Sequence, residues 1–354
     1  MALRYTPFVF DCPPTAQDSP HRVLRMTANR YWTDDSMSND EGLSMLLAHG
    51  IGAHKEQWEP IIEQVFRMQR HKPRSKCVRE AWAFDWPSHG DAAVLNRELL
   101  ASTRQMGVCK SRPRPHSPCA VPHAAFEWAA AIAGFLRSPC FRGKRAVAVA
   151  HSAGASALLL AVKDIPVGAV PYVSIVFIEP YLATRPIYYT HVGDTQQALV
   201  AATIMRRARW GSRAEAAAWL RARAPWKFWD ARVLQRFVEH GLADADGDTV
   251  ALKCDRRLEA LAFPDVHPHF AAVGEFARMC HAVPIHLVWA SRGEIVPKAV
   301  QDALVDESHG RVAASITRVQ GGHMVVQENP DIVARVICTA IDAVGVDLRV
   351  RARL

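Results

Sequence analysis

The stretch Val147-Ala148-Val149-Ala150-His151-Ser152-Ala153-Gly154-Ala155-Ser156-Ala157-Leu158-Leu159-Leu160 constrains this chain more than any other. An apolar, β-branched run enters it, and a small-residue, leucine-rich run leaves it. That reads as a buried strand turning directly into a helix, with Ser152 at the turn. Small residues at Ala150, Ala153, Gly154 and Ala155 surround the serine, where bulk would clash in so tight a bend. Such a turn lifts the hydroxyl above the sheet edge and aims the free N–H groups of the helix N-terminus at negative charge forming beside it. The pattern is the G-x-S-x-G elbow with Ala150 in place of the first glycine. An ordinary strand–turn–helix with a capping serine would leave much the same local signature, so the flanking chain has to decide.

The flanking chain alternates. Leu43–Ala48 reads as a buried strand running into His49-Gly50-Ile51-Gly52, and Trp58–Arg70 as an amphipathic helix. Ala81–Phe84 reads as a third strand opening into the loop Asp85–Asp91. Ala124–Leu136 is an alanine-rich helix leading to the elbow strand, and Tyr172–Ile178 is a strand that ends on Glu179. This order predicts a mostly parallel sheet with ligands at the carboxyl ends of its strands. Phe8-Val9-Phe10 and Val23-Leu24 read as edge-strand pieces, Ser36–Glu41 as a turn, and Leu99–Pro122 as an irregular surface insertion.

From Tyr181 to His281 the alternation breaks. Ser212 and Glu215 form a capping box ahead of a helix over Ala216–Arg223. Asp230 caps a second helix carried by Val233, Leu234, Phe237 and Val238 and stopped by Gly241. The α/β pattern resumes at Pro284–Ala290 and continues through Ala314–Val319, the Gly321-Gly322-His323 loop and a closing helix from Pro330 to Val344. The expected division is an α/β core in two parts, 1–180 and 282–354, with 181–281 inserted as a helical cap or lid.

Composition bounds the function classes. With 49% hydrophobic and 22% charged residues, the 354-residue chain is that of a soluble globular protein, and no apolar run is long enough for an integral membrane segment. The net charge of +8 suits a small anionic ligand. Its lysines and arginines are scattered without an interleaved aromatic stripe, so no nucleic acid partner is expected. The eight cysteines form no C-x-x-C pair, and Met1–Pro20 lacks the form of a secretory signal, which points to reduced intracellular thiols.

Serine is a poor nucleophile until a histidine takes its proton, and that histidine needs a carboxylate to hold its tautomer. The parts occur in the chain order Ser152, acid, His323. The N–H groups of Ala153 and Ile51 stand where an oxyanion would be held. The His49-Gly50 strand end, Asp85 to Gly90, the elbow, the inserted cap and Gly322-His323 together give a chain that resembles the α/β-hydrolase fold superfamily over nearly its whole length. Within it, Asp85…His89-Gly90-Asp91…Asn96 and Phe177-Ile178-Glu179-Pro180 resemble the fungal peroxisomal branch of yeast peroxisomal lipase-like proteins, AK-toxin-type esterases and mycophenolic-acid-type acyl-CoA hydrolases.

The resemblance leaves two glutamates competing for the acid. In the common G-x-x-D-x-I-V-P arrangement, the acid's place in Ala290–Pro297 falls on Gly293, with Glu294 one residue late. Glu179, after the strand that follows the elbow helix, occupies the alternative acid position of the fold and is favoured. A serine nucleophile argues against dehalogenase or epoxide hydrolase chemistry, which uses aspartate there. The expectation is a cofactor-free and metal-free serine hydrolase of a carboxylic ester or acyl-CoA thioester, with a lipid or polyketide-type acyl group. Phosphates of an acyl-CoA would suit Arg206, Arg207, Arg209, Arg221 and Arg223, which otherwise form a solvated face. Rival readings are an acyltransferase on the same fold and a catalytically silent binding protein. The C-terminal Ala352-Arg353-Leu354 fits the S-K-L-type address for a peroxisomal import receptor, with a cytoplasmic location as the alternative.

Overall fold

The structure, a computed structural model, describes residues 2–13, 23–101 and 124–345. Eleven strands occur among them. They are β1 (Arg4–Asp11), β2 (Arg25–Trp32), β3 (Leu43–Ala48), β4 (Val78–Phe84), β5 (Ala146–His151), β6 (Tyr172–Ile178), β7 (Arg209–Trp210), β8 (Leu242–Ala245), β9 (Thr249–Leu252), β10 (Ile285–Ala290) and β11 (Ser315–Val319). Eight of them form one sheet in the order β1-β2-β4-β3-β5-β6-β10-β11. The β1–β2 and β2–β4 pairs are antiparallel, and the pairs from β4 to β11 are parallel. This is the α/β-hydrolase fold.

Period-2 alternation divides the core between the two faces of the sheet. On β5, Ala146, Ala148 and Ala150 face Trp128, Ile132, Phe135, Leu158 and Phe276, while Val147 and Val149 face Ile61, Val65, Ile337 and Ile341. From β3 the chain leaves toward β4, and it returns on the other side of β3 as β5. Their carboxyl ends, paired at Ala48 and Ala150, form the switch point at which open α/β sheets bind ligands. The helix Gly154–Leu160 comes down there so closely that a Cβ on Gly154 would lie 2.5 Å from the Ala48 carbonyl oxygen.

Between β6 and β10 the chain forms six helices, Arg185–His191, Gly193–Met205, Arg213–Arg221, Ala231–His240, Arg256–Ala262 and His267–Met279. Ser212 accepts from the Glu215 N–H, and Asp230 accepts from the Arg232 N–H, as the caps foretell. The stretch is not all helix, because β7, β9 and β8 form an antiparallel sheet of their own. Strands of two and four residues show no periodicity, and the turn that joins β8 to β9 runs through Gly247 at φ +70° and Asp248 at φ +56°.

Other expectations need correction. The second strand begins at Arg25, not at Val23-Leu24. It was hidden because its buried side chains include Thr27 and Asn29, whose polar atoms reach Asp85, Tyr31 and Glu56. Ser36 belongs to a short helix, Asp34–Met37, capped by Thr33. The last helix ends at Asp342. Of Leu99–Pro122, only 99–101 are described, and these are helical. Among the described residues, no helix is long and apolar enough to cross a membrane.

Gly154→Ala is expected to push the elbow helix off β3, with a loss of ~1–3 kcal/mol of stability read as a lower urea midpoint. An unchanged midpoint would remove close packing as the reason for glycine at this position.

Candidate active site

Ser152 sits between β5 and the helix Gly154–Leu160 with φ +52°, in the left-handed region that side chains avoid. Hydrogen bonds on both sides hold it there. Its N–H donates to the Ile178 carbonyl at 3.0 Å, and its carbonyl accepts from Ala155 and Tyr181. The neighbouring loop presses in, since a Cβ on Gly50 would lie 2.9 Å from His151 Nδ1 and 3.0 Å from Ser152 Cβ.

His323 approaches from the loop after β11. Ser152 Oγ–H donates to His323 Nε2 at 2.9 Å, and His323 Nδ1–H donates to Glu179 Oε2 at 3.2 Å. Glu179 is wholly buried at the end of β6, with φ +48°. Its other oxygen accepts the Ala290 N–H at 2.6 Å, and its own N–H donates to the Val288 carbonyl at 2.8 Å. Both carboxylate oxygens are thus committed, one to β10 and one to the imidazole. Glu294 is elsewhere, half-exposed and paired with Arg292 at 2.8 Å. The structure brings Ser152, His323 and Glu179 together and leaves Glu294 at the surface.

His151, the residue before the serine, fastens the histidine loop. Its Nε2–H donates to the His323 carbonyl at 2.7 Å, with the two rings 5.1 Å apart. Burial pushes its pKa down to about 3, so it is neutral.

Two more histidines shape the loop that carries Ile51. His49 Nδ1–H donates to the Gly50 carbonyl at 2.7 Å, and burial lowers its pKa to about 4. His89 Nε2 accepts the Gly52 N–H at 3.1 Å, which leaves Nδ1–H to donate to Ser88 Oγ at 3.0 Å. Burial holds His89 neutral as well. Between these anchors, the N–H groups of Ile51 and Ala153 meet no acceptor among the described residues, and both residues line the cavity beside Ser152. Two free N–H groups next to a strained serine are what a tetrahedral oxyanion needs.

The cavity measures about 100 Å³, and its apolar walls include Leu199, Phe263, Ile295 and Met324. Tyr181 and His269 also line it. Neither had a role in the sequence reading, because each reaches the site only through tertiary folding. The cap arginines are mostly engaged within the chain. Arg206 pairs with Glu259, Arg207 with Glu215 at 2.6 Å, Arg209 with Thr249 at 3.1 Å, and Arg223 lies over the Trp219 ring at 4.5 Å. Arg207, Arg209, Arg221 and Arg223 nevertheless remain exposed.

The buried neutral histidines set an expectation for acid stability. Folded His49, His151 and His269 protonate only near pH 4, 3 and 4 because of burial, whereas unfolded they take up a proton near 6.5. Between those values the unfolded chain holds more protons, so stability falls as pH drops, by ~1.4 kcal/mol per pH unit for each histidine. Glu59, whose carboxyl burial raises to about 7, acts in the opposite sense with one proton. Urea midpoints measured from pH 7 down to 4.5 should therefore decline steeply. A flat or rising profile would contradict neutral buried imidazoles.

Comparisons with known proteins agree with this architecture. The alpha/beta hydrolase family matches residues 45–336. Among solved structures, the chain is similar to the peroxisomal alpha-beta-hydrolase Lpx1 (Yor084w) of Saccharomyces cerevisiae, with a TM-score of 0.73 at 16% identity, covering 98% of this chain and 90% of that one. It is also similar to E-2-(acetamidomethylene)succinate hydrolase, with a TM-score of 0.61 at 21% identity over 90% of this chain and 96% of that one. A thioesterase domain from the curacin biosynthetic pathway gives 0.60 at 12% identity over 95% of this chain and 99% of that one. A search of curated proteins finds no match. Identities this low speak for the fold, while the family match spans most of the sequence. The chain belongs to the alpha/beta hydrolase family and is a hydrolase of that fold.

Proposed function

We propose that this hydrolase cleaves a carboxylic ester or acyl-CoA thioester of a lipid or polyketide-type acyl group through an acyl-enzyme. Ser152 is the nucleophile, His323 the general base and acid, Glu179 the orienting acid, and the Ala153 and Ile51 N–H groups the oxyanion hole. Residues 181–281 act as a cap over the site. The observation that carries this reading is the unbroken contact chain from Glu179 through His323 to Ser152.

The chemistry follows from those contacts. His323 Nε2 takes the Ser152 hydroxyl proton as Oγ attacks the acyl carbon, and Glu179 stabilises the imidazolium that forms. The tetrahedral oxygen collects negative charge against the two backbone N–H groups. Collapse expels the alcohol or thiol, which leaves with the proton from Nε2. Water, deprotonated by the same nitrogen, then attacks the acyl-enzyme, and collapse returns the proton to Ser152 and frees the acid. The apolar walls at Leu199, Phe263, Ile295 and Met324 suit a hydrocarbon portion of the acyl group.

A peroxisomal location is part of the same proposal. Its support is the Ala352-Arg353-Leu354 terminus, which lies outside the described residues, and the location printed for the yeast fold neighbour.

Ser152→Ala should abolish fluorophosphonate labelling. Glu179→Gln should lower kcat on the order of 10⁴-fold, as loss of an orienting acid does, while Glu294→Gln should leave it within a few-fold. A large loss at Glu294 with little at Glu179 would reverse the assignment of the acid. For the address, deleting Ala352–Leu354 from an N-terminally tagged protein should turn a punctate peroxisomal distribution diffuse. A full-length protein that is already diffuse refutes it.

A further inference from the structure

The apolar wall of the cavity is interrupted by an imidazole that the proposed chemistry does not use. His269 stands near the start of the helix His267–Met279, is only 3% exposed, and lines the cavity beside Ser152. The Tyr181 ring meets it edge-on, with centroids 5.1 Å apart and planes at 81°, which fixes the orientation of the imidazole. His269 Nδ1 lies 2.8 Å from Ser156 Oγ. The other ring nitrogen, Nε2, has no hydrogen-bond partner among the described residues, and it is not among the nitrogens sealed in the core.

The position of the ring proton follows from Ser156. That serine is fully buried on the elbow helix, and among the described residues its hydroxyl has one partner, His269 Nδ1. A buried hydroxyl proton needs an acceptor, and Nδ1 is the acceptor present. The O–H therefore donates to Nδ1, and the neutral imidazole carries its own proton on Nε2. The opposite arrangement would strand the hydroxyl proton. Burial, which lowers the pKa of His269 to about 4, agrees with a neutral ring.

Building on the hydrolase reading above, we infer that His269 Nε2–H is a hydrogen-bond donor inside the acyl cavity and selects a substrate whose chain carries a neutral oxygen acceptor, a ketone or ether oxygen, at that point. His269 and Ser152 line the same cavity, so the acceptor belongs to the part of the acyl chain held beside the nucleophile. A carboxylate is the poorer match, because no lysine or arginine lines the cavity. A plain hydrocarbon chain leaves the donor unpaired in an apolar wall, and sites built to hydrogen-bond a substrate discriminate against analogues that cannot return the bond.

Two measurements test this without relying on turnover. In histidine-¹⁵N-labelled protein, with the signal assigned by its loss in His269→Phe, the shifts should show Nε2 protonated and Nδ1 as acceptor. A proton on Nδ1 overturns the inference. In the Ser152→Ala protein, which cannot hydrolyse either ligand through this serine, methyl 5-oxohexanoate should bind more tightly than methyl hexanoate, on the order of tenfold. The ratio should fall to about one when His269→Phe is added, and return in part with His269→Gln, which keeps a donor. Equal binding of the two esters, or a preference that survives His269→Phe, overturns it. Failure of the hydrolase reading would appear separately, as wild-type protein that fluorophosphonate does not label.

Discussion

The carboxylate of Asp85, at the end of β4, ties together the segments on which the site is built. It accepts from Thr27 on β2 at 2.7 Å, from the Lys55 N–H and Nζ at 2.9 Å each, and from the Asp91 N–H at 3.1 Å. A buried charge is tolerable only with such a full set of partners. Gly90, at φ +52°, must lack a side chain, because a Cβ there would fall 2.4 Å from this carboxylate. Lys55 is buried beside it and held protonated by Asp85, Glu56 and Asp91. Asp91 in turn pairs with Lys253, just beyond β9. One ionic chain thus runs from the sheet, past the loop carrying Ile51, into the stretch between β6 and β10. Removing Lys55 would leave the buried Asp85 carboxylate without its cation, a change of a kind that typically costs ~3–5 kcal/mol.

Across the sheet, each strand end positions the next. The Ser152 N–H is held by Ile178 of β6, the Glu179 N–H by Val288 of β10, and the Glu179 carboxylate by the N–H of Ala290. Both β5 and β6 exit through a residue at positive φ, Ser152 and then Glu179. Strain of this kind costs ~1–3 kcal/mol per residue and persists only where the surroundings over-determine it. Here the surroundings are the parallel ladder itself, so the separation between Glu179 and Ser152 is set by strand spacing and not by loop conformation.

That dependence explains how much could be read in advance. The elbow, Glu179 and His323 were legible because each lies at the end of an apolar strand or beside a glycine-marked loop. Glu294 looked plausible from sequence because a loop can absorb a one-residue shift; in the structure, Arg292 holds it at the surface instead. β2 escaped because its buried polar side chains find partners on other segments. The small sheet of β7, β8 and β9 escaped because its strands are too short to show a period. His269 left no local trace, since its partner Ser156 is 113 residues away.

The other histidines matter for the one placed to work. In the proposed mechanism His323 becomes an imidazolium as it accepts the serine proton, and a second positive charge nearby would oppose that step. His151 is the closest candidate, with its ring 5.1 Å away. Burial keeps it neutral, so it contributes a single N–H to the His323 carbonyl and no charge. His49 and His89, buried and neutral in the same way, each commit one ring nitrogen to the loop that presents Ile51. The same burial that would make these residues poor bases makes them rigid struts of fixed tautomer. His323, by contrast, has the Glu179 carboxylate at 3.2 Å from Nδ1 to compensate a charge gained at the ring.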